Sequence, residues 1–146
     1  LDLQDLLDED LITDSIDPEQ LVVPGDTTTA AALGYLHSNC GTCHNPTSSV
    51  QTRVDMDLRL RIGLLDSLEE TPTYTTTVGV PISLMDGSEV PGATVRIDPT
   101  SPETSALGLR MDSRGELYSM PPLGSEEIDD DNVDLISLWI TELAVP

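Results

Sequence analysis

Lysine is absent from this 146-residue chain, and so is phenylalanine. The six basic residues are all arginine and face 27 acidic ones, which leaves a formal charge of −21. So negative a surface repels phosphate backbones and anionic lipid. That argues against nucleic-acid binding and favours basic partners or a saline habitat. Aromatic rings are nearly missing as well: three Tyr and one Trp. A core this poor in rings has to rely on Leu, Ile, Val and Met, or on a large apolar cofactor at its centre. No apolar run approaches the ~20 residues of a transmembrane helix, so no membrane span is expected. No targeting leader stands at Leu1, and the chain reads as a mature soluble form or as a module cut from something larger. At this length one domain with a real core is expected rather than two.

Residues 1–26 form an acidic segment with Leu1, Leu3, Leu6, Leu7, Leu11 and Ile12 spaced through it. It reads either as a docking arm, through which the chain joins a homo- or hetero-oligomer, or as a solvated acidic leader. Asp26 and Thr27 then offer an N-cap for a helix over "TTTAAALGYLHSN", with Ala32, Leu33, Leu36 and Cys40 along one face. "VDMDLRLRI" (54–62) alternates apolar and charged residues, which is strand periodicity. "YTTTVGVPISL" (74–84) is rich in Thr and Val and is expected to pair with it from an edge position, given Pro81. "MDGS" (85–88) suggests a turn and "ATVRI" (93–97) a further short strand. A helical stretch follows from about Glu103 to Ser113, then "SMPPLG" (119–124), stiffened by its two prolines. The last expected helix, about Asp129 to Leu143, puts Val133, Ile136, Ile140 and Leu143 on one stripe with Trp139 beside it. Three aspartates at its start suit the helix dipole.

Chemistry-bearing side chains are concentrated in one place. Both cysteines and both histidines fall within "HSNCGTCH", His37 to His44. Cys40-Gly41-Thr42-Cys43-His44 is the attachment pattern of c-type haem. Two thiols three positions apart at a helix end can form thioethers with one porphyrin, and the following imidazole can bind its iron. A redox thiol pair would need a βαβ setting, which this sequence does not offer. A zinc site from His37, Cys40, Cys43 and His44 would crowd all four donors into two helical turns. For the opposite axial position, His37 is two turns from His44 on the same side of the chain. A thioether is therefore expected, from Met56, Met85, Met111 or Met120. Met120, just before Pro121-Pro122 in the rigid loop, is the best placed, and Met/His ligation is a known cytochrome c arrangement. Arg110, and less directly Arg114, suit a haem propionate, because an Arg fork matches a carboxylate.

"CGTCH" followed much later by "MPPLG" and "LISLWITEL" resembles a class I cytochrome c. In that family the first and last helices cross near the haem, and the Met loop lies between the last two helices. Trp139 would meet Leu36 and Ala32 where the family usually has an aromatic and a glycine. More narrowly, "YLHSNCGTCHNP", "VDMDLRLR", "RIDPTSPETSALGLRM" and "MPPLGS" resemble monohaem modules of bacterial extracytoplasmic proteins, over about residues 25–143. His37 belongs to that wider pattern, as a partner for a propionate or a backbone group, or as an exposed helix histidine. The resemblance implies a mainly α fold over 27–146: cytochrome c-like helices around one covalent haem c, with a β-rich insertion at about 50–98. It implies one-electron transfer with His44 and Met120 as iron ligands, redox protein partners with basic docking surfaces, and a periplasmic or extracellular location. Two other readings stay open: a haem module of a larger electron-transfer assembly, and a five-coordinate haem that binds gas or acts on peroxide.

Overall fold

The 13-residue helix α2 (Thr27–Asn39) begins where Asp26 Oδ1 accepts the Thr29 N–H at 2.8 Å, filling one of the donors a helix start leaves unpaired. The computed structural model describes residues 3–9, 22–82, 89–124 and 126–143. Within these the other helices are α1 (Leu3–Asp8), α3 (Pro72–Thr77), α4 (Ala106–Met111) and α5 (Asp130–Glu142), with 3₁₀ turns at Ser49–Thr52 and Leu68–Glu70 ahead of α3 and at Pro102–Thr104 ahead of α4. Residues 10–21, the turn expected at 85–88 and Met85 lie outside the described residues. Among the described residues, no helix is long and apolar enough to cross a membrane.

The core forms where α2 packs on α5. Ala32, Leu33 and Leu36 from α2 and Ile136, Trp139 and Ile140 from α5 are fully buried. Large apolar side chains gain about 1.5–3 kcal/mol each on leaving water, so this seam is the main source of the fold's stability. Leu107 and Met111 of α4 close one side of it, and Leu58 and Ile97 come from the connecting chain. The 3.6-residue stripes read from the sequence are therefore the faces that meet.

One bond ties the seam's rim. Tyr35 donates its hydroxyl to Asp129 Oδ2 at 3.2 Å, joining α2 to the start of α5. Burial, and then the negative charge of Asp129, push the Tyr35 pKa from 10.0 up to about 12. A folded-state pKa above the unfolded one means stability that is complete below pH 10 and lost as pH climbs toward 12. Denaturation midpoints measured across that window should fall in the parent protein and fall less in Tyr35→Phe. Equal slopes in the two proteins would refute this.

The β-rich insertion expected at about 50–98 does not form: the chain is mainly helical, and the region between α2 and α4 has almost no strand. Three isolated bridges take its place, Val78 with Ile97, Pro81 with Val95, and Val95 with Ser105. Two physical reasons account for the difference. Residues 74–77, rich in β-branched threonine, belong to helix α3, because Thr71 caps the Tyr74 N–H and Pro72 occupies the first turn. That start signal outweighs β propensity. Residues 54–61 have no regular secondary structure. Met56 N donates to Val54 O at 2.8 Å in a tight turn, and the neighbours Asp57 and Leu58 are both buried, with Met56 and Leu60 packed against the core. Among the described residues this segment has no strand partner; its hydrogen bonds go to the Cys40–His44 turn, to His37 and to Thr76. The alternation of residue types is thus not matched by alternating burial, because the segment is strapped across a turn and not paired in a ladder.

Candidate functional site

The strap runs across the Cys40–His44 turn. Leu36 O accepts the N–H groups of both Cys40 and Gly41 at 2.9 Å, and Cys40 O accepts those of Cys43 (3.1 Å) and His44 (2.9 Å). The chain thus leaves α2 in a tight continuing turn. Leu58 N donates to His44 O at 2.9 Å, Arg59 Nε donates to Gly41 O at 2.9 Å, and Leu60 N donates to His37 Nδ1 at 3.1 Å. From inside the turn, buried Asn45 donates from Nδ2 to Gly41 O (2.8 Å) and Thr42 O (3.0 Å).

Gly41 is the point of closest approach. A Cβ there would lie 2.6 Å from His37 O and 3.0 Å from the Arg59 side chain. The first of these is backbone and cannot swing away. Gly41→Ala should therefore lower stability by about 1–3 kcal/mol, as overpacking does, through a lower denaturant midpoint at unchanged slope. An unmoved midpoint would mean that the strap tolerates displacement.

Beside the turn lies an apolar cavity of about 440 Å³. Its size is within the roughly 300–1,000 Å³ common for cofactor and ligand sites. Cys40 and His44 line it from one side, and Met56, Met111 and Met120 each reach it. So do Arg53, Arg96 and Arg110, half of all the basic residues in the chain. No family model matches this chain, and neither does any curated protein or solved structure. What the cavity holds must be argued from its walls.

His44 is largely enclosed, and among the described residues its buried Nδ1 has no hydrogen-bond partner. Burial first, then the positive charges of Arg110 and Arg96, hold its pKa below the usual histidine value. The imidazole is therefore neutral at neutral pH and keeps a lone pair for a metal. Burial, with Cys43 adding to it, pushes the Cys40 thiol up to about 11. A thiol so protonated is a poor nucleophile for disulfide exchange. Cys43 is exposed on the same turn. Among the described residues, no three His, Cys, Asp or Glu side chains converge as a ligand cluster, and His37 points its Nδ1 at a backbone N–H. The four-donor zinc arrangement is thus not assembled.

Arg96 is 8% exposed, and its Nη1 donates to the carbonyls of Asp55 and, at 2.6 Å, Thr76. Burial lowers its pKa, and only the Asp55 charge opposes that. Arg110 Nη1 donates to Tyr118 O at 3.0 Å. Both guanidinium groups already have partners in the protein, yet they face the cavity and would add positive charge to the wall against an anionic group bound there. The donor set fits a flat apolar group that carries carboxylates and a metal: thiol, neutral imidazole, thioethers and guanidinium groups face one space.

The structure brings Cys40, His44, Met120 and Arg110 to that space; Cys43, exposed on the turn, and His37 are not on its wall. Arg114 is not on the cavity wall; it donates to main-chain carbonyls instead. Sequence reading missed Arg53, Arg96, Arg59 and Asn45. Asn45 had a local signal, an amide directly after a helix-ending turn. Arg53 and Arg96 had none beyond being two of six cations, since folding alone brings them to the site.

Proposed function

We propose that this chain carries one haem c, bonded through Cys40 and Cys43, and passes single electrons between protein partners outside the cytoplasm. The motif order resembles class I cytochromes c. The observation that carries the reading is the convergence of Cys40, His44, a methionine and three arginines on one apolar cavity. Haem c, when bound, supplies reversible exchange between ferrous and ferric iron. The rest is the work of the chain.

His44 offers neutral nitrogen, held by the strap through its own carbonyl. Met120, on the same cavity wall, would supply a thioether to the iron. Of the three methionines on the cavity, Met111 is committed to the core and Met56 packs against it, whereas Met120 stands in the loop. Arg96 and Arg110, with exposed Arg53, would neutralise the carboxylates of the group. The hydrogen bonds that brace the turn would hold these residues in place as the group changes charge. Leu117 and Leu123 are 84% and 85% exposed on the loop that carries Met120, on an acidic protein. They suit a partner whose docking face has an apolar centre and a basic rim.

The test is intact-mass analysis of protein made in a bacterial host that attaches haem outside the cytoplasm. The expected product is polypeptide plus one haem, red when purified, with the spectrum of a six-coordinate iron. Bare polypeptide from such a host would overturn the proposal.

A further inference from the structure

Arg114 lies three residues beyond α4, near the base of the loop that carries Met120. Its Nη1 donates to Ser113 O at 2.6 Å, Met111 O at 2.8 Å and, more weakly, Met120 O at 3.4 Å. Its Nε donates to Glu127 O at 3.0 Å. One guanidinium thereby joins the end of α4, the loop residue Met120, and the chain just before α5. Arg110 works beside it: Met120 N donates to Arg110 O at 2.9 Å, while Arg110 Nη1 holds Tyr118 O. Apolar burial does little here, since Pro121 to Gly124 are exposed and Met120 is only half-buried. Segments with few buried apolar contacts open at low free energy unless polar contacts hold them.

We infer that Arg114 is the latch that keeps the Met120 loop closed over the cavity. It is a positioning residue that acts through main-chain carbonyls and touches no ligand itself. A planar fork with donors on two of its edges can bridge both ends of the loop at once. An ammonium group cannot, even with its charge intact. This inference rests on the reading of Met120 as the axial ligand, and it adds what holds that ligand in place.

The test uses haem-loaded protein, with imidazole as a competitor for the sixth position of ferric iron. Imidazole binds only when the loop is open, so its apparent affinity reports the open fraction. Arg114→Gln and Arg114→Lys are both expected to bind imidazole at least about tenfold tighter than the parent. Amide hydrogen exchange at Ser119 and Met120 should accelerate similarly in both variants, while that of α2 and α5 is unchanged. Imidazole affinity within twofold of the parent in both variants would overturn the latch. So would equal acceleration in α2 and α5, which would signify general destabilisation. If Gln at 114 prevents folding, the Lys variant decides alone. Failure of the underlying reading looks different: parent protein without tethered haem, or without a sulfur-to-iron band. Exchange at Ser119 and Met120 then decides the latch by itself.

Discussion

The double replacement Cys40→Ser with Cys43→Ser is expected to take the purified protein from one haem per chain to none. The two thiols are the only sulfur nucleophiles in the sequence, so no other residue can substitute for them. Cys43→Ser alone leaves the half-buried Cys40 on the cavity wall, and a fraction of singly tethered protein should survive. His44→Ala should keep the mass increment of one tethered haem over its own polypeptide and change the spectrum. The cost of the empty site extends to stability. An empty apolar pocket exposes to water the side chains that a bound group would cover, and small domains hold only about 5–15 kcal/mol in total. The double variant should therefore unfold at a much lower denaturant concentration than the haem-loaded parent, and less cooperatively. Equal midpoints would show that the cavity is not a cofactor site, whatever the mass spectrum says.

That cavity also explains which parts of the fold were legible. α2 and α5 could be read from the sequence almost to the residue, because capping and 3.6-residue stripes are local signals. The Asp26 cap and the buried triad Ile136, Trp139, Ile140 are both written within one segment. The stretch 54–62 reads as a strand and is not one: its alternation marks Met56, Leu58 and Leu60 as core residues but not the burial of Asp57, and the identity of the hydrogen-bond partner depends on what lies across from it. Here that partner is the Cys40–His44 turn, together with Thr76 Oγ1, which accepts the Asp57 N–H at 3.1 Å. α3 shows the reverse failure: three threonines spoke for strand, and a Thr-Pro start decided for helix.

At the site, contiguity in sequence set the limit. Cys40, Cys43 and His44 form one motif and were visible at once. Met120 was visible through the prolines that follow it. Arg110 was picked out, but Arg53 and Arg96 were not, since the three come from separate segments and have in common only the place to which folding carries them. The sequence did show that cations are scarce. Of the six in the chain, Arg96 is buried on the cavity wall, where the Asp55 charge and two main-chain carbonyls offset the cost of its burial. Arg114 illustrates the opposite risk: a residue four positions from Arg110 suggests the same role, yet its fork is spent on carbonyls.

Met120→Ala is expected to remove the weak far-red sulfur-to-iron band of the oxidised protein completely, while the haem stays tethered. The reduction potential should fall, because a thioether opposite histidine favours ferrous iron. Two other methionines reach the cavity, so the comparison has to be threefold. Met111 is 8% exposed within the core, and Met111→Ala should cost about 2–5 kcal/mol of stability and leave the band in place. Met56 packs against the same core from the strap, and Met56→Ala should likewise retain the band. The distinction is physical: a side chain fixed by packing on a helix contributes to stability when truncated, and a loop thioether contributes to spectrum and potential. Loss of the band in Met111→Ala, with Met120→Ala unaffected, would move the ligand to α4 and leave the proline-stiffened loop as a cover only. A band absent from the parent and from all three variants would leave the tether standing and point to an open sixth position, which suits binding of a small ligand rather than electron transfer.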